Sequence, residues 1–257
     1  MNLKIMGNFE GSHLASTENG IAVIVDVLRA STTIPITMNN GITDFYIAKE
    51  VEDTRLAANE LNSLLMGERG CIRLPGFNYG NSPTEMSNIT NYSNSAVAFT
   101  SSTGSRRVID AIGSQCIIIG SIINAHAVAD FIFNLILTLA KNPMVVIVPA
   151  FTEGTITANE ITEDQIGALI IAREFKKRGI KLDENIMSEI DYLENLLLHK
   201  SLSTILRETI HGQKLVNLNF QQDIITCAKE NQNTVVPRSM NDIVHLSNNA
   251  PIVHMKK

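Results

Sequence analysis

Four short groups of residues carry the chemistry this sequence offers. Asp26-Val27-Leu28-Arg29 puts an acid and a guanidinium group just past the apolar run Ile21–Val25. Gly67-Glu68-Arg69-Gly70 sets opposite charges between two glycines, which permit unusual backbone angles and close approach to a ligand. Thr100, Ser101, Ser102, Thr103, Gly104, Ser105 and Arg106 form a hydroxyl- and glycine-rich turn ahead of a helical segment. Such a turn points backbone N–H groups at one spot, with the positive end of a helix dipole behind them. Glu163-Asp164 opens another helical segment. Carboxylates suit a hard cation, and arginine suits a phosphate or sulfonate that it can grip with two parallel hydrogen bonds.

Each group also has an ordinary structural reading. Asp26 can cap the next helix and pair with Arg29. Glu68 and Arg69 can be an exposed ion pair on a tight turn. Residues 100–106 can be a helix cap followed by a surface arginine. Acids in a first helical turn, such as Glu163 and Asp164, are favoured by the dipole alone. What separates the readings is where the groups lie relative to the elements that must position them.

Short apolar runs at 21–25, 45–48, 64–66, 96–100, 117–119 and 144–148 predict strands. Segments of helical period follow at 31–39, 50–62, 103–112, 124–141 and 162–178. In the fourth of these, Val128, Phe131, Ile132, Leu135 and Leu139 share one face. In the fifth, Thr162 and Gln165 form a capping box, and Lys176, Lys177 and Arg178 precede Gly179 at the negative end of the dipole. This alternation predicts an α/β protein: a three-layer α/β/α arrangement around a mostly parallel or mixed central sheet. Ligands of such sheets bind beyond the carboxyl ends of the strands. Three of the four groups directly follow a predicted strand. Glu163 and Asp164 come further on, after the last strand, with Thr152 and Glu153 between.

Two stretches break the alternation. Residues 71–92, rich in Gly, Asn, Ser and Pro, read as a long loop of the functional kind. Residues 180–211 read as two helices, with Ser188 capping the first and Ile190, Leu193 and Leu197 on one face. The expected organisation is one domain over 1–257 with a helical excursion around 180–212.

Composition narrows the function. The 257 residues carry a formal charge of −5 and are 44% hydrophobic and 18% charged. That balance disfavours nucleic acid or an anionic membrane as main partner. Cys71, Cys116 and Cys227 are far apart, so neither a disulfide framework nor a zinc site is expected. The first thirteen residues do not resemble a secretory leader, and the apolar stretch 128–140 is interrupted by Asp130 and Asn134. A cytoplasmic, reducing location is expected. The six histidines lack metal-ligand spacing, and only His126 follows a predicted strand closely. Leu28 removes the D-x-D pattern of aspartyl-phosphate enzymes, and no cysteine precedes a phosphate loop ending in arginine. No G-x-x-x-x-G-K-[ST] or G-x-G-x-x-G motif occurs, which argues against nucleotide hydrolysis and dinucleotide redox chemistry.

Taken together, the segments resemble one family. Val25-Asp26-Val27-Leu28-Arg29-Ala30-Ser31-Thr32-Thr33, Gly67-Glu68-Arg69-Gly70 and Gly76-Phe77-Asn78-Tyr79-Gly80-Asn81-Ser82-Pro83 look like those of the 2-phosphosulfolactate phosphatases. Residues 100–106, Gly120-Ser121 with Asn124-Ala125, Glu163-Asp164 with Gly167-Ala168, Asp223-Ile224 and Val236-Pro237 continue the likeness. The resemblance implies a Mg²⁺-dependent phosphoric monoester hydrolase that converts 2-phosphosulfolactate to 3-sulfolactate and phosphate, a step toward coenzyme M. It implies Mg²⁺ on Asp26 and Glu68 with Glu163 or Asp164. Arg29, Arg69 and Arg106 would bind the acid groups, and Thr100, Ser101, Ser102, Gly104, Ser105, Asn81 and Ser82 the remaining substrate atoms. Thr103, Asn78, Cys71 and His126 depart from the family pattern of Asn, Asp, Gly and a small residue, and 149–155 is longer or rearranged. A small anionic phosphorylated substrate is the expected partner, and assembly into a homo-oligomer stays open. Two other classes remain: a non-catalytic binder of a phosphorylated or sulfonated metabolite, and another α/β enzyme for a small acid.

Overall fold

Period-two alternation in three apolar strands builds the layers. In Ile21–Val25 (β2), Ile21, Val23 and Val25 face one core, while Ala22 and Ile24 face another. The same split divides Ile118 from Ile117 and Ile119 in Cys116–Ile119 (β7), and Val145 and Ile147 from Val146 and Val148 in Met144–Pro149 (β8). Strands buried on both faces need helices on both sides, and this is the physical origin of three layers. A computed structural model shows them; it describes residues 1–92, 94–139, 142–151 and 161–257.

Along the chain, Asn2–Ile5 (β1) and Asn8–Thr17 (α1) precede β2 and Ala30–Asn39 (α2). Asp44–Ile47 (β3), Val51–Glu60 (α3), Leu64–Arg69 (β4), Ile72–Arg73 (β5), Pro83–Ser87 (α4), Ala96–Thr100 (β6) and Gly104–Asp110 (α5) follow. After β7, a 3₁₀ turn at Ile122–Asn124 leads into Ala125–Thr138 (α6), then β8 and Glu163–Lys177 (α7). The rest is Glu184–His199 (α8), Leu202–Glu208 (α9), Ile210–Asn217 (α10), Gln221–Cys227 (α11), Arg238–Ser239 (β9), Ile243–His245 (β10) and Pro251–Lys256 (β11).

The sheet order is β1-β8-β2-β7-β9-β11-β3-β6-β4-β5, with β10 on β11. Two parallel runs, β1-β8-β2-β7 and β3-β6-β4, are joined by antiparallel β9 and β11. Polarity therefore reverses three times between β7 and β3. A flat sheet would send the carboxyl ends of β2 and β6 to opposite edges. Sheets twist by roughly 20–25° per strand, so ends that a flat sheet would separate need not stay apart. The ends then meet: Gly104, past β6, donates its N–H to Asp26 Oδ2, past β2, at 2.9 Å.

The structure revises several expectations. β4 runs three residues beyond the predicted 64–66 because Gly67 pairs with Thr100 on β6, and Glu68 and Arg69 pair with β5. Gly67 has φ +154°, and a Cβ there would lie 2.2 Å from the Thr100 carbonyl oxygen, so close strand pairing at this point needs glycine. The long loop 71–92 holds β5 and α4, the latter capped by Ser82, which accepts from the Glu85 N–H at 3.1 Å. The excursion contains α8, α9 and the start of α10; α8 begins after Asp183 rather than at Ser188. Its inner face does include Ile190 and Leu193, with Leu197 packed beside them. β1, α1, α11 and β9 to β11 have no counterpart among the predicted elements. Thr152, Glu153 and the last two residues of the predicted 124–141 helix lie outside the described residues.

Candidate active site

Asp26 is held in place by donors from two strands' ends. Its Oδ2 accepts from Thr103 Oγ1 at 3.0 Å and from the Gly104 N–H, and its Oδ1 from the Ala30 N–H at 3.3 Å. A Cβ on residue 104 would fall 2.6 Å from Asp26 Oδ2, so glycine there makes room for the carboxylate. Glu68 is held similarly. Its Oε1 accepts from the Ser102 N–H at 2.7 Å, and its Oε2 from the Cys71 N–H at 2.7 Å and Ser102 Oγ at 3.1 Å. Asp164, in the first turn of α7, accepts from the Val27 N–H at 2.7 Å. The capping box read from the sequence fixes that turn: Thr162 Oγ1 accepts from the Gln165 N–H at 3.2 Å, and Gln165 Oε1 from the Thr162 N–H at 3.0 Å.

These acids border one cavity of about 500 Å³ together with Arg29, Asn81, Ser102 and Glu163. Thus seven of the fourteen residues given a metal or substrate role above share a pocket at the carboxyl ends of β2, β4 and β6, and Leu28, Gly70, Cys71 and Thr103 line it as well. The other seven, Arg69, Arg106, Thr100, Ser101, Gly104, Ser105 and Ser82, do not. Arg69 turns back to the Lys49 carbonyl at 3.0 Å and Thr100 Oγ1 at 3.0 Å, tying β4 to its neighbours. Arg106 lies at the surface, 3.7 Å from Glu50. Thr100 donates to the Lys49 carbonyl, Ser101 and Ser105 bond one another, and Ser82 donates to Asp223 Oδ1 at 2.6 Å. His126 lies outside the cavity too, among Asp130, Glu174 and Arg178. The turn at 100–106 is the instructive case. It does aim N–H groups at anions, but the anions are the protein's own Asp26 and Glu68, so those donors position carboxylates.

Electrostatics in the pocket are dominated by crowded, buried acids. Burial raises the pKa of Asp26 above the usual range, against the opposing pull of His211, and the nearby Glu68 charge adds to the rise. Asp164 is pushed up further, by burial first and then by Glu163 and Asp26. The counter-charge is His211. Burial works to lower its pKa, but its bonds to the Cys71 thiol, 3.5 Å from Nε2, and to Glu163, 3.3 Å from Nδ1, carry it up to about 10.

Three contributors were given no role at the site by the sequence reading. His211 sits in α10 with no motif around it. Cys71 has φ +76°, a left-handed position where glycine is at ease; its N–H holds Glu68 and its carbonyl accepts from Arg29 at 2.6 Å. Asp223, in α11, forms a 2.8 Å ion pair with Arg29 in which both side chains are 2% exposed. Phe220 covers the guanidinium plane at 4.4 Å.

Among the described residues, no three His, Cys, Asp or Glu side chains are gathered into a preformed metal cage. The donor set nonetheless fits Mg²⁺. It consists of carboxylate oxygens, and the repulsion among Asp26, Asp164 and their neighbours is the kind a divalent cation relieves. Mg²⁺ is commonly held by one or two carboxylates, with water and substrate oxygens completing its octahedron.

Comparison with known proteins identifies the family. The profile described as 2-phosphosulpholactate phosphatase matches residues 9–242. A protein of Carboxydothermus hydrogenoformans named probable 2-phosphosulfolactate phosphatase is 32% identical over 237 residues, 91% of this chain and 92% of the relative. The 2-phosphosulfolactate phosphatase of Methanocaldococcus jannaschii is 31% identical over 218 residues, 82% and 85% of the two chains. A probable 2-phosphosulfolactate phosphatase of Clostridium tetani is 27% identical over 246 residues, 95% and 100%. The chain belongs to the 2-phosphosulpholactate phosphatase family.

Proposed function

We propose that this protein is a phosphoric monoester hydrolase that releases phosphate from 2-phosphosulfolactate, leaving 3-sulfolactate, with Mg²⁺ as its metal. The observation that carries the reading is the meeting of Asp26, Glu68 and Asp164 at one cavity, in a chain whose family relatives bear that name. Asp26 and Asp164 are the ligands we assign to the cation, with Glu68 or Glu163 reaching it through water. When bound, Mg²⁺ supplies neutralisation of phosphoryl charge and a lowered pKa for water.

The chain's own groups do the rest. The N–H groups of Gly104, Ser102, Cys71 and Val27 hold three carboxylates in fixed positions, so little reorganisation is needed when charge shifts. Arg29, anchored by Asp223, keeps a fixed positive charge at the wall. Asn81 borders the cavity from the loop before α4. Positioning of this kind matters because phosphate monoesters are among the most slowly hydrolysed of biological bonds. No candidate membrane-spanning helix occurs among the described residues, and a cytoplasmic location is part of the proposal.

The test is phosphate release from synthetic 2-phosphosulfolactate with Mg²⁺ and with EDTA. Release with Mg²⁺ that EDTA abolishes is the expected outcome. Folded protein that releases no phosphate in either condition refutes the substrate; equal release in both refutes the metal.

A further inference from the structure

The buried floor of the cavity is acidic, formed by Asp26, Glu68, Glu163 and Asp164. Two of the cations that border the cavity are committed to protein partners. Arg29 spends one terminal nitrogen on Asp223 and the other on the Cys71 carbonyl, and His211 faces Glu163. The other two stand on the wall built by α8 to α10: Lys200 just past α8, and Lys214 within α10. Lys200 is itself paired, at 2.6 Å, with Glu208, which also borders the cavity, so Lys214 is the cation of this wall without an ion-pair partner among the described residues.

Resting on the substrate reading above, the ligand has a phosphate at one position and two further acid groups on a three-carbon frame. The phosphate belongs at the acidic floor, where a divalent cation would be held. The sulfonate then needs a cation of its own, and Arg69 and Arg106 do not border the cavity. A sulfonate presents three equivalent oxygens rather than a flat pair. It therefore matches the compact ammonium of lysine on a flexible stem at least as well as the planar fork of arginine. We propose that Lys214, assisted by Lys200, forms the subsite for the substrate's sulfonate, so that the α8–α10 wall sets specificity for the non-phosphate end. This gives the helical excursion, which contributes no strand to the sheet, a chemical task.

The experiment is calorimetric titration of 3-sulfolactate and, separately, inorganic phosphate into the full chain with Mg²⁺. The proteins are wild type, Lys214→Gln, the Lys200→Gln/Lys214→Gln double variant, and Lys181→Gln as a surface control outside the cavity. Loss of one charge-assisted contact predicts a sulfolactate Kd roughly tenfold weaker in Lys214→Gln and weaker still in the double variant. The phosphate Kd should move much less, and Lys181→Gln should match wild type. Unchanged sulfolactate binding in the double variant overturns the subsite, as does equal weakening of both ligands or no sulfolactate binding by wild type. Turnover of 2-phosphosulfolactate, measured in parallel, separates the two claims. Binding through Lys214 without phosphate release sinks the hydrolase reading alone. Intact turnover with lysine variants that bind like wild type sinks the subsite alone.

Discussion

Asp223→Ala should damage this protein although Asp223 does not itself line the cavity. The carboxylate accepts from Arg29 at 2.8 Å, from Ser82 Oγ at 2.6 Å and from the Thr84 N–H at 3.2 Å. Alanine removes all three bonds and strands a guanidinium group whose side chain is 2% exposed. Removing one partner of a buried pair costs about 3–5 kcal/mol, mostly through the uncompensated charge left behind. Arg29 keeps the Cys71 carbonyl and the Phe220 ring, which places the expected loss toward the lower figure. Domains of this size lose roughly 2–4 °C of Tm per kcal/mol, so a drop on the order of 10 °C is expected. Urea unfolding at constant slope gives the stability change directly. Phosphate release should fall as well, because Arg29 is no longer held against the cavity. A loss under about 1 kcal/mol would show that Arg29 does not depend on this pair, and the account of α11 as its anchor would fail.

Other expectations follow from the same geometry. Gly104→Ala drives a methyl group into Asp26 Oδ2, and displacing a catalytic carboxylate by about 1 Å is expected to lower turnover roughly 10²-fold; steady-state kinetics with unchanged Tm would confirm that the effect is local. Cys71→Gly relieves left-handed strain of roughly 1–2 kcal/mol while losing buried side-chain surface, so its Tm should stay near wild type, whereas β-branched Cys71→Val should lower it clearly by differential scanning calorimetry. The raised pKa values of Asp26 and Asp164 mean that the folded chain binds protons the unfolded chain releases. Their contribution to stability is therefore present below the ordinary Asp range and declines as pH rises through the raised values. His211, lifted to about 10, adds stability that is full below its ordinary value and declines as pH rises from there to about 10. Metal-free protein should then lose Tm as pH rises above the ordinary Asp range, with Mg²⁺ restoring more at pH 8 than at pH 5; a Tm gain from Mg²⁺ that is equal at both would contradict the assigned carboxylates.

Much of this arrangement was legible in residue order. β2, β6, β7 and β8 are continuous apolar runs, and α7 announces itself through Thr162, Gln165 and the basic residues at its end. Asp26, Glu68 and Asp164 were readable because each lies at one end of a legible element. α4 was missed although Ser82-Pro83-Thr84-Glu85 is an N-terminal signature, because the surrounding Gly and Asn obscured it. Side-chain direction was not readable. Arg69 and Arg106 sit beside the right loops, yet a strand alternates faces, and Arg69 points to Lys49 and Thr100. Asp223 and His211 lie 194 and 140 residues from the partners that give them meaning. β9 and β11 are strands only because β7 and β3 offer edges for them to join.

The position of β11 also shapes how the molecule can be assembled. Val253 to Lys256 pair with Ile47 to Asp44, so the seam between the two parallel runs closes only through residues separated by some two hundred positions of chain. Before that pairing, β3 presents an unsatisfied edge capable of joining another chain. Contacts of such long range slow folding. A ribosome-bound chain would accordingly hold two partly formed sheets apart until β11 arrives, which makes the last strand the step at which aggregation and correct assembly compete.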